Sequence, residues 1–263
     1  MLTGNKFSTI LANFLAAAPD YSIILPDDWK QGRTAYGGMT AGLLLAAIQH
    51  ANADLPPLRT AQINFMGPAD GELRVTHKLL RKGKNNVTFE ARLDSKLGAG
   101  TYGYFTFGVC RPMPDTVDYP LEPLPITPED VQQIIWEGAP AFVHNFDRRI
   151  IAGNPLTTGM EKPEFTAWCR HVDPQAYAGL VPLMVLADSP PAALSYLPKT
   201  QALSSMAWNM NMLSDDITTK DGWWLMRART DHIKDGYSSQ FMQVLNRDGR
   251  PIMDGMQHQA IFV

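Results

Sequence analysis

The sequence predicts an α+β chain of two tandem units, each a buried helix followed by a curled antiparallel sheet. Three observations predict it. A proline-rich stretch near the middle separates two halves of similar length. Each half holds segments in which apolar and polar residues alternate, and each series opens on Asp-Gly, at 70–71 and 221–222. A helix that is apolar nearly all round precedes the strands in each half. Helices segregated from antiparallel strands, rather than alternating βαβ units, mark α+β architecture. The expected division is residues 1–110, a linker over 111–140, and a second unit over 141–263.

The elements follow in order. Phe7, Ile10, Leu11, Phe14 and Leu15 recur at i, i+3, i+4, i+7 and i+8, the spacing of an amphipathic packing helix. Lys6 and the apolar residues to Ala18 faintly resemble a secretory signal, but Ser8, Thr9 and Asn13 interrupt the run. Gly37 to His50 reads as the helix that must be wrapped on most sides. It falls short of the ~18 apolar residues of a membrane span. Thr60, Gln62 and Asn64 alternate with Ala61, Ile63 and Phe65 as a strand. Leu73, Val75, His77 and Leu79 form one face of the next. A turn at Lys82-Gly83-Lys84-Asn85 leads to Val87, Phe89, Ala91 and Leu93, and a turn near Gly98-Ala99-Gly100 to Phe105, Phe107 and Val109. Pro112, Pro114, Pro120, Pro123, Pro125 and Pro128 can continue neither helix nor central strand, so they make the linker. In the second half Tyr177 to Leu197 reads as the partner helix. Ser205 to Met212, Asp221 to Asp231, Tyr237 to Leu245 and Ile252 to Val263 read as strands, with turns at Asp235-Gly236 and Asn246 to Gly249.

Composition bounds the function. The 263 residues are 45% hydrophobic and carry 23 Lys and Arg against 26 Asp and Glu, a net charge of −3. That argues against broad electrostatic binding of nucleic acid or anionic lipid. Cys110 and Cys169 are too few for a disulfide framework or a cysteine zinc site, and are expected to be buried thiols in a reducing compartment. The expectation is a cytoplasmic protein with no membrane insertion. No Gly-x-Ser-x-Gly elbow, phosphate-binding Gly-Lys-Ser/Thr loop or His-Glu-x-x-His is present. Gly98 to Gly103 matches Gly-x-Gly-x-x-Gly, but a strand follows where a nucleotide site needs a helix. The six histidines lack metal-ligand spacing.

Four features point to chemistry, each with a plain alternative. Tyr36-Gly37-Gly38 opens the first buried helix; its N–H groups and the helix dipole suit a carbonyl becoming an oxyanion, or it is simply a glycine turn. Asp188 lies in the apolar run Val185-Leu186-Ala187. Desolvation there raises a carboxyl pKa and suits a general base, though Asp-Ser-Pro-Pro also reads as a helix N-cap. Ser205, Ala207, Asn209 and Asn211, with Thr60, Gln62 and Asn64, form uncharged polar strand faces that line a pocket or face solvent. Gln257 and Gln259 share one face of the last strand and can hold a water or a carboxylate, or serve structure alone.

Taken together, these residues resemble a known family. The duplicated plan looks like the double hotdog fold, and Tyr36-Gly37-Gly38, Leu186-Ala187-Asp188-Ser189 and Met256-Gln257 resemble the acyl-CoA thioesterase II branch. The resemblance implies that an aspartate, a hydroxyl residue and a glutamine activate one water for direct attack on a thioester. Carried over by position, these are Asp188, Ser205 and Gln257, with Gly37 and Gly38 binding the substrate oxygen. The hydroxyl strand departs from the family: Ser replaces Thr, Ala207 replaces Asp, and Asn-Met-Leu-Ser replaces the aromatic-His-Arg-Pro end. Ser204 therefore remains an alternative to Ser205. The resemblance implies an acyl-CoA substrate, a role in fatty acid metabolism, no cofactor, no metal and a homodimer. Arg33 is either a contact for the coenzyme phosphates or an ordinary surface cation. A non-catalytic acyl-CoA binding module on the same fold is the competing reading. A hotdog hydratase ranks last, for want of a paired Asp and His.

Overall fold

The computed structural model describes residues 4–117, 126–134, 138–153, 159–188, 192, 196–197 and 202–262. The first half runs α1 (Phe7–Ala16), β1 (Ser22–Ile24), β2 (Lys30–Gln31), β3 (Thr34–Ala35), α2 (Gly37–Ala51), β4 (Leu58–Phe65), β5 (Glu72–Lys82), β6 (Asn86–Ser95) and β7 (Gly98–Gly108). The second runs β8 (Phe146–Ala152), β9 (Glu164–His171), α3 (Leu180–Ala187), β10 (Ala202–Met212), β11 (Trp224–Lys234), β12 (Tyr237–Leu245) and β13 (Pro251–Phe262). The alternating segments became strands because their apolar residues fall on one face. In β6, Val87, Phe89, Ala91 and Leu93 are buried; in β12, Met242 and Val244 are. Among the described residues no helix is long and apolar enough to cross a membrane.

Among those residues eleven strands pair in the order β1-β5-β6-β7-β4-β10-β13-β12-β11-β9-β8, and β2 with β3 forms a separate hairpin. The order repeats. Strands β1-β5-β6-β7-β4 have the same succession as β9-β11-β12-β13-β10, and the two sets meet where β4 pairs antiparallel with β10. The irregularities repeat too. A bulge after Leu79 in β5 matches one after Thr230 in β11. A bulge after Leu58 in β4 matches one after Ser205 in β10. Gly71 and Gly222 both take positive φ, +76° and +75°, just before these strands. Such agreement in register pins residue-by-residue equivalence, because strand register is set by which side chains face the core.

Helix α2 carries its apolar residues all round, and Gly38 through Ile48 are buried. Met39, Leu43, Leu44, Leu45 and Ile48 are almost fully enclosed, each contributing about 1.5–3 kcal/mol over an exposed position. Helix α3 presses against α2 at two glycines. A Cβ on Gly38 would overlap the Val185 carbonyl oxygen, and one on Gly42 would overlap a Val185 methyl. Tyr36 locks the crossing. Its hydroxyl donates to Val185 O at 2.9 Å, and its ring stacks on Phe142 at 4.0 Å between centroids.

Three expectations need correction. Helix α3 spans Leu180–Ala187, and Asp188 follows it as C-cap (φ −72°, ψ 2°) rather than lying inside a helix from Tyr177; most of 189–197 lies outside the described residues. Gly98 to Gly100 belong to β7, because the chain reverses one step earlier, at Lys96-Leu97. Only Cys169 is buried; Cys110 is exposed because it lies past the end of β7. The Cys110 thiol donates to Asp215 Oδ2 at 2.6 Å and accepts from Arg59 Nη2 at 3.3 Å. Burial pushes the Cys169 thiol up to about 12. Of the linker, 118–125 and 135–137 lie outside the described residues.

Candidate active site

The site forms where the C-terminal end of α3 meets the N-terminal end of α2, over the inner face of β13. Close approach of the two helices, permitted by Gly38 and Gly42, brings Asp188 to the opening of α2. A Cβ on Gly37 would lie 2.7 Å from Asp188 Oδ2 and 3.0 Å from the Phe65 ring. The glycine pair is therefore required by close packing of a carboxylate, not only by a turn. The Gly37 carbonyl accepts from the Thr40 hydroxyl at 2.8 Å, and Thr40 accepts from Thr101 at 2.8 Å, which steadies the first turn.

Asp188 as a whole is half-buried, but its carboxyl is turned inward and desolvated. It accepts from two donors, Gln257 Nε2 at 2.5 Å and the Gly38 N–H. Burial nevertheless dominates and raises its carboxyl to about 7, against the smaller lowering effect of these two hydrogen bonds. Its place at the C-terminal end of α3 acts in the same direction as burial, since helix carbonyls disfavour a nearby negative charge. The same enclosure, with Asp188 nearby, lifts the Tyr36 phenol well above its ordinary value. A carboxyl near neutrality is suited to take a proton from water and to return it.

Further polar side chains line the inner face of the sheet in the second half of the chain. Gln257 and Gln259 are buried on β13, with His258 turned outward. Gln259 Nε2 donates to Gln257 Oε1 at 2.7 Å, and Ser238 Oγ on β12 donates to Gln259 Oε1 at 3.1 Å. Ser205 lies opposite Gln259 in the register, which puts it on the same inner face; Ser204 lies opposite Ala260 and points the other way. The bulge at Met206 makes the difference. It skips one side of the alternation, so Ser205 shares a face with Trp208, Met210 and Met212 rather than with Asn209 and Asn211.

The polar faces of the two central strands line no pocket. Asn209, Asn211 and Gln62 are exposed and Thr60 and Asn64 are half-buried, paired across β4 and β10 on the outer face. The large apolar residues Trp208, Met210 and Ile63 take the inside because burying them returns more than burying amides. The Gly38 N–H lies near enough to the Asp188 carboxyl to oppose the rise of its pKa. Arg33 is exposed at the tip of the β2–β3 hairpin.

Sequence reasoning passed over Ser238, Gln240 and Thr230. All three are buried, and Thr230, Gln240, Gln257 and Trp208 form one cross-strand row. The signal was present in the repeat. Their equivalents in the first unit are apolar: Leu58 for Ser205, Phe105 for Gln257, Phe107 for Gln259, Phe89 for Gln240 and Val87 for Ser238. Among the described residues no group of His, Cys, Asp or Glu is arranged to hold a metal.

Comparison with known proteins bears on the fold and the family. The model of the acyl-CoA thioesterase N-terminal domain matches residues 25–108, and that of the C-terminal domain matches 120–261. No curated protein matches the chain. Among solved structures, a conserved hotdog-fold protein of unknown function from Alicyclobacillus acidocaldarius is 18% identical, with a TM-score of 0.82 over 92% of each chain. A putative thioesterase II from Thermobifida fusca is 14% identical, TM-score 0.76, again over 92% of each. An acyl-CoA thioesterase II from Mycobacterium marinum is 16% identical, TM-score 0.67, over 87% of this chain and 89% of that one. At these identities the structural likeness carries the α+β hotdog fold, while the two domain models, which together span most of the sequence, carry the family. The chain belongs to the acyl-CoA thioesterase family.

Proposed function

We propose that the chain hydrolyses acyl-CoA thioesters to free acid and coenzyme A through a water activated by Asp188, Ser205 and Gln257. The observation that carries this reading is a desolvated carboxyl, raised to about 7, held by an oriented amide and a helix-start N–H. Ionised Asp188 takes a proton from water as its oxygen bonds to the thioester carbonyl carbon. Ser205 and the Gln257 amide orient that water. The carbonyl oxygen gains the negative charge and faces the Gly37 N–H at the positive end of α2. Collapse of the adduct breaks the carbon–sulfur bond, and the proton on Asp188 passes to the departing sulfur. A thioester is already an activated acyl group, so a positioned water and base serve without a covalent nucleophile.

The same reading takes residues 1–110 and 141–263 as two hotdog units joined by 111–140, each sheet curled round its helix, and the chain as a homodimer. Repetition of strand order and bulges supports the two units; light scattering at micromolar concentration tests the dimer. The test of function is thiol release from a panel of acyl-CoA chain lengths. Release that saturates and requires Asp188 supports hydrolysis. Tight acyl-CoA binding with no release at any chain length refutes it and leaves a binding module.

A further inference from the structure

The second unit carries more buried polar groups than the reaction above uses. Ser238 Oγ donates to Gln259 Oε1, Gln259 Nε2 donates to Gln257 Oε1, and Gln257 Nε2 donates to Asp188 Oδ1, at 3.1, 2.7 and 2.5 Å. All three bonds run in one direction. The carboxylate sets it, because an ionised carboxyl only accepts and so draws the amide NH2 group toward itself. Each further partner then has one orientation that satisfies its neighbour. We propose that Gln259 is a positioning residue for the hydrolysis, holding the Gln257 amide with its NH2 group on Asp188 and its carbonyl turned away, with Ser238 fixing the far end.

The repeat separates this from a merely structural role. The first unit builds the same register and the same bulges with Val87, Phe107 and Phe105 at these positions, all buried. The backbone therefore does not need polar groups there. Buried amides are costly unless paired, and this unit keeps them in an unbroken line that ends on the base. Among the described residues no charge competes for control of that base along the line. Gln257, Gln259, Gln240, Ser238 and Ser205 are uncharged, α2 brings only the Tyr36 phenol near, and α3 contributes the carboxyl itself. Orientation of the Gln257 amide is the remaining lever. Turned over, its carbonyl would face the carboxylate, and the pair would repel until a proton came between them.

The inference rests on the hydrolase reading, and the experiment separates the two. Gln259→Met keeps length and burial but removes the donor to Gln257. Losing one hydrogen bond that supports a charged group predicts a kcat roughly tenfold lower, KM unchanged, and an acid limb of the kcat profile about one pH unit higher. Ser238→Ala should move the limb the same way by less, and Ser238→Thr, which keeps the hydroxyl, should restore it. The Asp188 carboxyl is also titrated directly by carbon-13 NMR without substrate, assigned by its disappearance in Asp188→Asn. A titration raised in Gln259→Met and in Ser238→Ala supports the relay even if wild-type protein releases no thiol, an outcome that refutes hydrolysis alone. If Gln259→Met does not fold, the serine pair decides. A folded Gln259→Met or Ser238→Ala whose titration and acid limb match wild type overturns the proposal.

Discussion

Replacing Asp188 by Asn separates the cost of a buried base from its use. The carboxyl is raised from 3.8 to about 7 in the folded chain. An acid that holds its proton more tightly when folded stabilises the fold fully below its unfolded pKa, near 4. That contribution then declines as pH rises, until it is gone above about 7. A rise of about three pH units, at 1.36 kcal/mol for each, makes the ionised carboxyl cost on the order of 4 kcal/mol at pH 8. At pH 5 the smaller part of that cost has appeared, so about 2–3 kcal/mol of wild-type stability should disappear between pH 5 and pH 8 through this group. The substituted asparagine has no such titration. It sets an NH2 group against one of two donors, Gln257 or Gly38, which costs a constant amount at every pH. Urea denaturation of both proteins across this range should therefore give a difference that grows with pH in favour of the variant. Turnover should fall by ~10²–10⁴-fold, the usual contribution of a positioned base, and wild-type kcat/KM should rise with pH through about 7. A stability difference that is flat from pH 5 to pH 8 would refute the buried-base argument. Full activity in Asp188→Asn would refute the mechanism.

Other outcomes follow from the same packing. Gly38→Ala sets a methyl against the Val185 carbonyl, so α3 must shift. It should lose about 1–3 kcal/mol by overpacking and lose kcat because Asp188 moves with α3, measured by urea midpoint and thiol release. His171, buried with Nε2 2.8 Å from Pro182 O, is lowered from 6.5 to about 4 by burial. A base that sheds its proton on folding adds stability above its unfolded pKa, and that stability is lost as pH falls from about 6.5 toward 4. The loss is on the order of 3 kcal/mol, and should be absent from the pH series of His171→Phe. With a disulfide-exchange reagent, one thiol, Cys110, should react in the native protein and two in denaturant; two native equivalents would contradict the burial of Cys169.

Much of this was legible in the sequence, and the reasons differ by residue. Strand β6 and helix α1 follow from periodicity because their faces are cleanly divided. Asp188 was legible because a lone carboxylate in Val-Leu-Ala has few harmless places to go. Its neighbours were harder. The inward turn of Ser205, onto the face opposite Asn209 and Asn211, depends on one bulge at Met206, which strict alternation cannot anticipate. Ser238 and Gln240 look like ordinary strand residues until the register sets them against Gln259 and Gln257. The closeness of Gly37 to Asp188 needs the helix crossing, which no local pattern encodes.

The pairing of β4 with β10 has a consequence for the chain's solubility and its divisibility. Residues 60–64 and 207–211 are joined through backbone hydrogen bonds. Cut apart, each unit would expose β4 or β10 as an open edge, a template for aggregation. The candidate site straddles the same cut, with the glycine pair on one side and Asp188, Ser205 and Gln257 on the other. Either fragment alone would hold half a site and one sticky border. The continuous sheet hides both borders in a single join, and the first half fills with phenylalanine the register positions where the second keeps its amides.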